Sequence, residues 1–519
     1  MGELRPAMSA RAPDVAPREL LGSRLWERLR APRRTPAASA PRAQIIGTLG
    51  LAALLACSLL VVVVASGQKT ILVPQSDVAF PAWLAGPLHQ LTHGIAVRSD
   101  PTAIGFSVVL VAMTAAYAIV VVCARSLPAR VAISAIVVLH VIWLLAPPMP
   151  LSDLFNYLGY ARLGGLHGLN PYTHGIAAAG HDAVEPFVTW QRLRSPYGPL
   201  FMLASTGLGP LPLPLAYWLM KLATVAASLG VVALLWRCAR QLGRDPLPTV
   251  LLYAVNPLVL VYALGGFHND VFLLLFALGA ISLLLERRDA GAGAALACAI
   301  AVKASAGVLL PFLLLGARRR GRFALGAGAA ALPLAAVSVL AYGGAHPNLS
   351  DQTSLLSSFS VPNALGQLAG LGGAPPWLLT GANVLIVLVV AALAAATWRG
   401  RIDWLPAAGW ATFALILSLA WLQPWYAMWL LPLAALAGSR ALTRATLAVC
   451  AYLLLTFLPV TGMALSALDY KPMDSPVGRA SIARMHALQW QPVHHRAHIF
   501  TVQRPRELAD AAVRPRHPH

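Results

Sequence analysis

Charge is scarce in this sequence. Only 11% of its 519 residues are Asp, Glu, Lys or Arg, against roughly a quarter in an ordinary soluble domain. Acids are scarcest, 19 against 39 basic residues, which leaves a net charge of +20. Lysine occurs only at Lys69, Lys221, Lys303 and Lys471. Cysteine is limited to Cys57, Cys123, Cys238, Cys298 and Cys450, each within or beside an apolar run and without metal-ligand spacing. That pattern excludes a disulfide framework and reads as small buried hydrophobes. There is no GxxxxGK[ST], no GxGxxG after a strand and no HExxH, so nucleotide-driven pumping and zinc proteolysis are set aside. A secretory signal peptide is not expected, because the first apolar run starts some way in and is too long for one.

Apolar residues make up 58% of the chain. Their runs fall at 44–66, 103–124, 129–147, 212–236, 247–265, 271–286, 290–303, 305–316, 323–342, 376–397, 404–421, 424–438 and 442–462. Most are long enough for a hydrocarbon layer of ~30 Å, but 290–303 and 305–316 are too short to cross singly and read as a broken pair. The fold expected is an all-α polytopic integral membrane protein with about eleven full spans plus that pair. Residues 1–43 read as a disordered basic cytoplasmic tail, 44–462 as a membrane-embedded domain, and 463–519 as an Arg/His-rich disordered tail. A soluble protein this basic would point to nucleic acid. Here the arginines cluster between apolar runs, as cytoplasmic anchors do beside anionic lipid, so the bilayer is the partner expected and nucleic acid is not. Arg33, Arg34, Arg42, Arg125, Arg130, Arg237, Arg240, Arg244, Arg287, Arg288, Arg318, Arg319, Arg320, Arg322, Arg399, Arg401, Arg440 and Arg444 then lie inside. Loops 67–102, 148–211 and 343–375 lie outside, and by parity so does the tail from 463.

The polar residues with chemical potential gather on that outer side. Ser152 and Asp153 follow Pro148 and Pro150, where a helix N-cap belongs. A helix from there puts Asp153, Tyr157, Tyr160 and Gly164 on one face and Arg162 on the other, and Gly168 with Asn170-Pro171 ends it. Asp153 is thus a cap or a positioned carboxylate. Arg192 and Arg194 precede a Pro/Gly-rich re-entry, and suit a phosphate or lipid headgroups. His181, Asp182 and Glu185 read as solvated loop charges, with a metal ligand or second acid as the alternative. His268, Asn269 and Asp270 open a span as caps or as partners for sugar hydroxyls. Lys303 lies at the break between the short segments, where a lone cation needs a partner: a lipid phosphate, or an ion pair with an acid such as Asp270. Gln423, Trp425 and Tyr426 form an interfacial belt or a ring platform for sugar stacking.

In order, these motifs read Ser152-Asp153-x-x-x-Tyr157, Gly168-Leu169-Asn170-Pro171-Tyr172 and Ser195-Pro196-Tyr197-Gly198-Pro199. His268-Asn269-Asp270, the Lys303 segment leading to Leu310-Pro311-Phe312, and Gln423-Pro424-Trp425-Tyr426 follow. The pattern resembles the actinobacterial polyprenol-phosphomannose-dependent α-1,6-mannosyltransferases. It is also similar to glycosyltransferase family 87 within the membrane-embedded GT-C superfamily. The resemblance covers roughly residues 45–460. It implies a bacterial cytoplasmic-membrane hexosyltransferase with its active site on the extracytoplasmic face. It further implies a polyprenyl-phosphate sugar donor, a cell-envelope glycan or glycolipid acceptor, inversion, and an Asp general base, a role that carries only to Asp153. Mannose is the sugar implied, although several related enzymes use arabinose donors. Lys303, Arg192 and Arg194 would receive the donor phosphate. Tyr157, Asn170, Tyr172, Tyr197, His268, Asn269, Asp270, Gln423, Trp425 and Tyr426 would bind sugar or acceptor. No cofactor is called for, and no metal if those cations suffice. The rival class is a transporter or flippase of polyprenyl-linked sugars, for which broken helices and a buried lysine are also suited.

Overall fold

The computed structural model describes residues 41–74, 80–92, 99–347, 349–353 and 355–489. The basic tail expected at 1–43 falls almost wholly outside them, as do residues 490–519. Every described element is helical, and no strand occurs among the described residues. The principal helices are α1 (Pro41–Gly67), α2 (Ser99–Cys123), α3 (Ala129–Leu145), α4 (Leu154–Gly165), α5 (Pro199–Thr206) and α6 (Leu213–Gln241). Then come α7 (Pro246–Ala254), α8 (Asp270–Leu285), α9 (Asp289–Val302), α10 (Leu310–Gly316), α11 (Arg320–Tyr342) and α12 (Val361–Leu368). The series ends with α13 (Pro376–Trp398), α14 (Trp404–Ser418), α15 (Ala427–Ala437), α16 (Arg440–Phe457), α17 (Pro459–Ala467) and α18 (Pro476–Leu488).

Among the described residues six helices are long and apolar enough to cross a membrane, or seven if the pair Pro246–Ala254 and Leu258–Leu264 is one span bent by 56°. The protein is a multi-pass membrane protein of the all-α class. The bend falls at Asn256-Pro257, where the proline withholds an N–H and the chain restarts as a π-helical turn over Leu258–Leu264. The broken pair follows the sequence reading: α9 stops at Val302, Lys303 is extended (φ −155°), and a 3₁₀ turn over Ala304–Leu309 leads into α10.

Helix α9 packs on α8 and α11, α8 on α6, and α1 on α2. The arginine-bearing turns meet at one end of the bundle. Arg237, late in α6, pairs with Glu286 just past α8. Arg244 donates to the Leu436 carbonyl in the last turn of α15, and Asp289 at the start of α9 accepts from the Arg319 N–H before α11 (2.7 Å). The Arg320 guanidinium lies 4.4 Å over the Trp398 ring at the end of α13. Helix α8 starts at Asp270 and runs 16 residues to this basic end, so Asp270 lies about 24 Å away from it.

One sequence reading needs correction. The chain is not a structureless tail from residue 463: α17 and α18 continue the fold. Helix α18 docks through Ser481 Oγ, which accepts the Leu356 N–H at 3.0 Å, and through the Leu488 carbonyl, which accepts the Arg192 N–H at 2.9 Å. The compositional signal failed because α18 is a polar helix held by loops and not by lipid.

Candidate active site

Asp153 stands at the end of a segment with few ways to satisfy its backbone. Pro147, Pro148 and Pro150 have no N–H to give. The segment is instead tied to residues before α8: Met149 N–H donates to the Gly265 carbonyl (2.9 Å), and Ser152 Oγ donates to the Gly266 carbonyl (2.7 Å). Ser152 Oγ also accepts the Leu154 N–H at 3.2 Å, whereas Asp153 makes no side-chain cap bond. The capping duty considered for Asp153 therefore belongs to Ser152. One Asp153 oxygen accepts from the Tyr197 hydroxyl at 3.4 Å and lies 3.6 Å from His268 Nδ1. The side chain is 21% exposed, and its other oxygen has no hydrogen-bond partner among the described residues.

Facing Asp153 is a wall of buried polar atoms. His268 follows Phe267, whose φ of +53° turns the chain sharply into α8. The His268 ring stacks on Trp425, centroids 3.7 Å apart and planes 13° from parallel. Both imidazole nitrogens, Asn269 Nδ2, Gln423 Oε1 and Trp425 Nε1 are buried without a hydrogen-bond partner among the described residues. Such groups are costly unless something engages them. Tyr157 reaches the same turn: its hydroxyl donates to Asn269 Oδ1 (3.3 Å) and accepts the Asn269 N–H (3.2 Å).

Next along α8, Asp270 is fully buried and accepts from Lys303 through both oxygens, at 2.8 and 3.0 Å. Trp429 Nε1 adds a third bond to Asp270, at 2.8 Å. The Lys303 ammonium lies 5.4 Å from the Tyr426 ring centroid and 5.5 Å from that of Trp429, and these two rings stack at 4.4 Å. The lysine remains 14% exposed, and two of its three N–H donors are taken by Asp270. The ion pair and the placement of Lys303 beside the aromatic residues thus coexist. Trp429 was not anticipated, although it lies one helical turn after Trp425.

The remaining candidates divide. Asn170 spends its amide within the fold: Nδ2 donates to the Tyr342 carbonyl (2.7 Å) and Oδ1 accepts the Tyr172 N–H (2.9 Å). Tyr172 donates to the Tyr197 carbonyl at 3.0 Å, so Asn170 and Tyr172 support Tyr197, which in turn contacts Asp153. Gly198 must be glycine for close approach: its N–H donates to the Val302 carbonyl (2.9 Å), and a Cβ there would overlap the Ala301 carbonyl. This packing sets the Tyr197 loop against the Lys303 break. Arg192 is exposed, and Arg194 forms an exposed ion pair with Asp351 at 3.3 Å. Asp182, read as solvated, is buried. It accepts from Arg162 (2.7 Å) and His167 (2.5 Å) and from the Val184 N–H (2.8 Å). Burial pushes its carboxyl upward, but the Arg162, His167 and Val184 hydrogen bonds outweigh that and hold it below its ordinary value. It is a structural hub, unseen in sequence because its partners lie on α4 and beyond it.

Two family profiles match the chain. One, described as "Alpha-(1->6)-mannopyranosyltransferase, N-terminal domain", matches residues 45–319, just over half of the chain. The other, "MptB C-terminal domain", matches residues 363–480. Alpha-(1->6)-mannopyranosyltransferase A of Mycobacterium tuberculosis is 28% identical over 359 residues, covering 62% of this chain and 68% of the relative. Alpha-(1->6)-mannopyranosyltransferase B of Corynebacterium glutamicum is 25% identical over 344 residues, 57% of each chain. No solved structure matches. With one profile matching just over half of the chain and a second matching its C-terminal part, the chain belongs to the alpha-(1->6)-mannopyranosyltransferase family.

Proposed function

We propose that the protein transfers a mannosyl group, with inversion, from a polyprenyl-phosphate donor to an extracytoplasmic glycan or glycolipid, with Asp153 as general base. The linkage proposed is the α-(1→6) bond that the relatives' names carry. The observation that supports this best is the Asp153 carboxylate: partly exposed, spared capping by Ser152, and oriented by Tyr197. In this reading an acceptor hydroxyl gives its proton to Asp153 as its oxygen attacks the anomeric carbon. The bond from that carbon to the phosphate oxygen breaks on the opposite face, and the phosphate leaves with the bonding pair. Lys303 offers its third N–H to a phosphate oxygen, and Arg192 and Arg194 supply further positive charge at the rim. Because Asp270 neutralises Lys303 and Asp351 pairs with Arg194, Arg192 carries much of the attraction. His268, Asn269, Gln423, Trp425 and Tyr426 meet the sugars by hydrogen bonding and stacking, while Tyr157, Asn170 and Tyr172 hold Tyr197 and Asn269 in place. The architecture is read as GT-C-like with about eleven crossings, several by helices shorter than a full span. The site lies outside because the arginine-rich end of the bundle lies inside.

The test is Asp153→Asn, purified and incubated with radiolabelled polyprenyl-phosphate mannose and a short α-mannoside acceptor, with the product linkage determined. Transfer should fall by about 10²–10⁴-fold. The melting temperature should not move, since Ser152 keeps the cap. Residual activity above about a tenth of wild type, ~1.4 kcal/mol of transition-state stabilisation, overturns the assignment. A wild-type protein that transfers no mannose yet moves the lipid in liposomes would instead favour a flippase.

A further inference from the structure

Lys221 lies in the third turn of α6, fully buried. Among the described residues no carboxylate pairs with it. Its ammonium donates to the Ala146 carbonyl at 2.6 Å and to the Tyr217 hydroxyl at 3.2 Å. Tyr217 passes the chain on by donating to the Leu84 carbonyl at 3.0 Å. Aromatic faces surround the ammonium: Trp218 at 4.0 Å, Tyr217 at 4.8 Å and Phe267 at 4.9 Å from their ring centroids. The head group is thus held by a carbonyl, a hydroxyl and aromatic faces, with no counter-charge among the described residues.

Two of these contacts matter for geometry. Ala146 ends α3 and begins the proline-rich segment that leads to Asp153. Phe267 is the left-handed residue directly before His268. One ammonium therefore touches the root of both segments that carry the Asp153–His268 pair, and the Met149–Gly265 and Ser152–Gly266 bonds rivet those segments together further out. We infer that Lys221 is a positioning residue for transfer: it fixes the separation of Asp153 from His268 without touching either substrate. The inference rests on Asp153 being the base.

Lys221→Met keeps the bulk and removes the N–H donors. In the polyprenyl-phosphate mannose assay, kcat should fall by about tenfold to a hundredfold, the loss expected for ångström-scale misplacement of reacting groups. The KM for the lipid donor should stay within about twofold, because no donor contact is lost. A double-variant cycle separates positioning from general damage. With Asp153→Asn already present, Lys221→Met should cost little more, since both act on one step; an equal loss in both backgrounds overturns the inference. If Lys221→Met does not yield folded protein, Tyr217→Phe removes the hydroxyl that links Lys221 to the Leu84 carbonyl and should lower kcat several-fold with the KM for the lipid donor unchanged. Unchanged kcat in whichever variant folds overturns the inference. Failure of the underlying reading looks different: Asp153→Asn alone would then retain activity.

Discussion

Asp270 is fully buried and answered by one lysine, so the loss of that lysine has two consequences that must be separated. Lys303→Ala leaves a buried carboxylate with only Trp429 Nε1 as partner, and breaking such a pair costs about 3–5 kcal/mol. The expected outcome is poorly folded protein, whatever Lys303 does for the donor. Lys303→Met combined with Asp270→Asn removes both charges and should recover most of the melting temperature. If Lys303 meets the donor phosphate, the KM for polyprenyl-phosphate mannose stays raised in that pair; a normal KM would confine the lysine to its ion pair. Lysine 303 was legible in the sequence because a charge inside an apolar run is conspicuous. Trp429 was not, because an aromatic residue in an apolar helix looks like lipid-facing bulk until Asp270 is seen beneath its indole N–H. Ser152 and Asp153 could not be told apart as caps by residue type, since either oxygen can take the same N–H.

Between elements, the loop from α4 to α5 is held by Asp182. Asp182→Asn should lower stability by about 1–3 kcal/mol, the range for hydrogen bonds to a charged group. The sign of its pH dependence follows from its lowered carboxyl pKa. The stabilisation is fully present above the unfolded value of about 4 and is lost as pH falls through the lower folded value. Unfolding curves in detergent between pH 7 and pH 3 should show a larger acid loss for wild type than for Asp182→Asn. Gly198→Ala forces a methyl group against the Ala301 carbonyl. It should cost about 1–3 kcal/mol and reduce transfer, because the Tyr197 loop and the Lys303 break separate; a thermal melt and the transfer assay check both effects. Apolar runs gave most helices their place. They could not give the number of crossings, since α3, α8, α9 and α14 are 14–17 residues long and apolar, short of the roughly 20 a span requires. The break at Asn256-Pro257 was written in the proline yet hidden inside a continuous apolar run, whereas the one at Lys303 announced itself by its charge.

For the whole molecule, exposure of apolar surface and the gathering of arginines support the orientation proposed above. Helix α13 has no buried residue, and Val384, Leu385, Val387 and Leu388 on it are all exposed, as lipid-facing positions should be. In a cysteine-free background, Ala178→Cys should label with an impermeant maleimide in intact cells, and Arg399→Cys only after the membrane is opened; the reverse pattern would put the site inside. The docking of α18 has a bearing on biosynthesis. The Arg192 N–H finds its acceptor in Leu488, and translation delivers the acceptor long after the donor. A nascent chain halted before α18 can insert its spans, but the rim carrying Arg192 lacks the contact that seats it. Chains stopped at residue 475 should therefore integrate into membranes yet be cut by protease between α4 and α5 faster than the full chain.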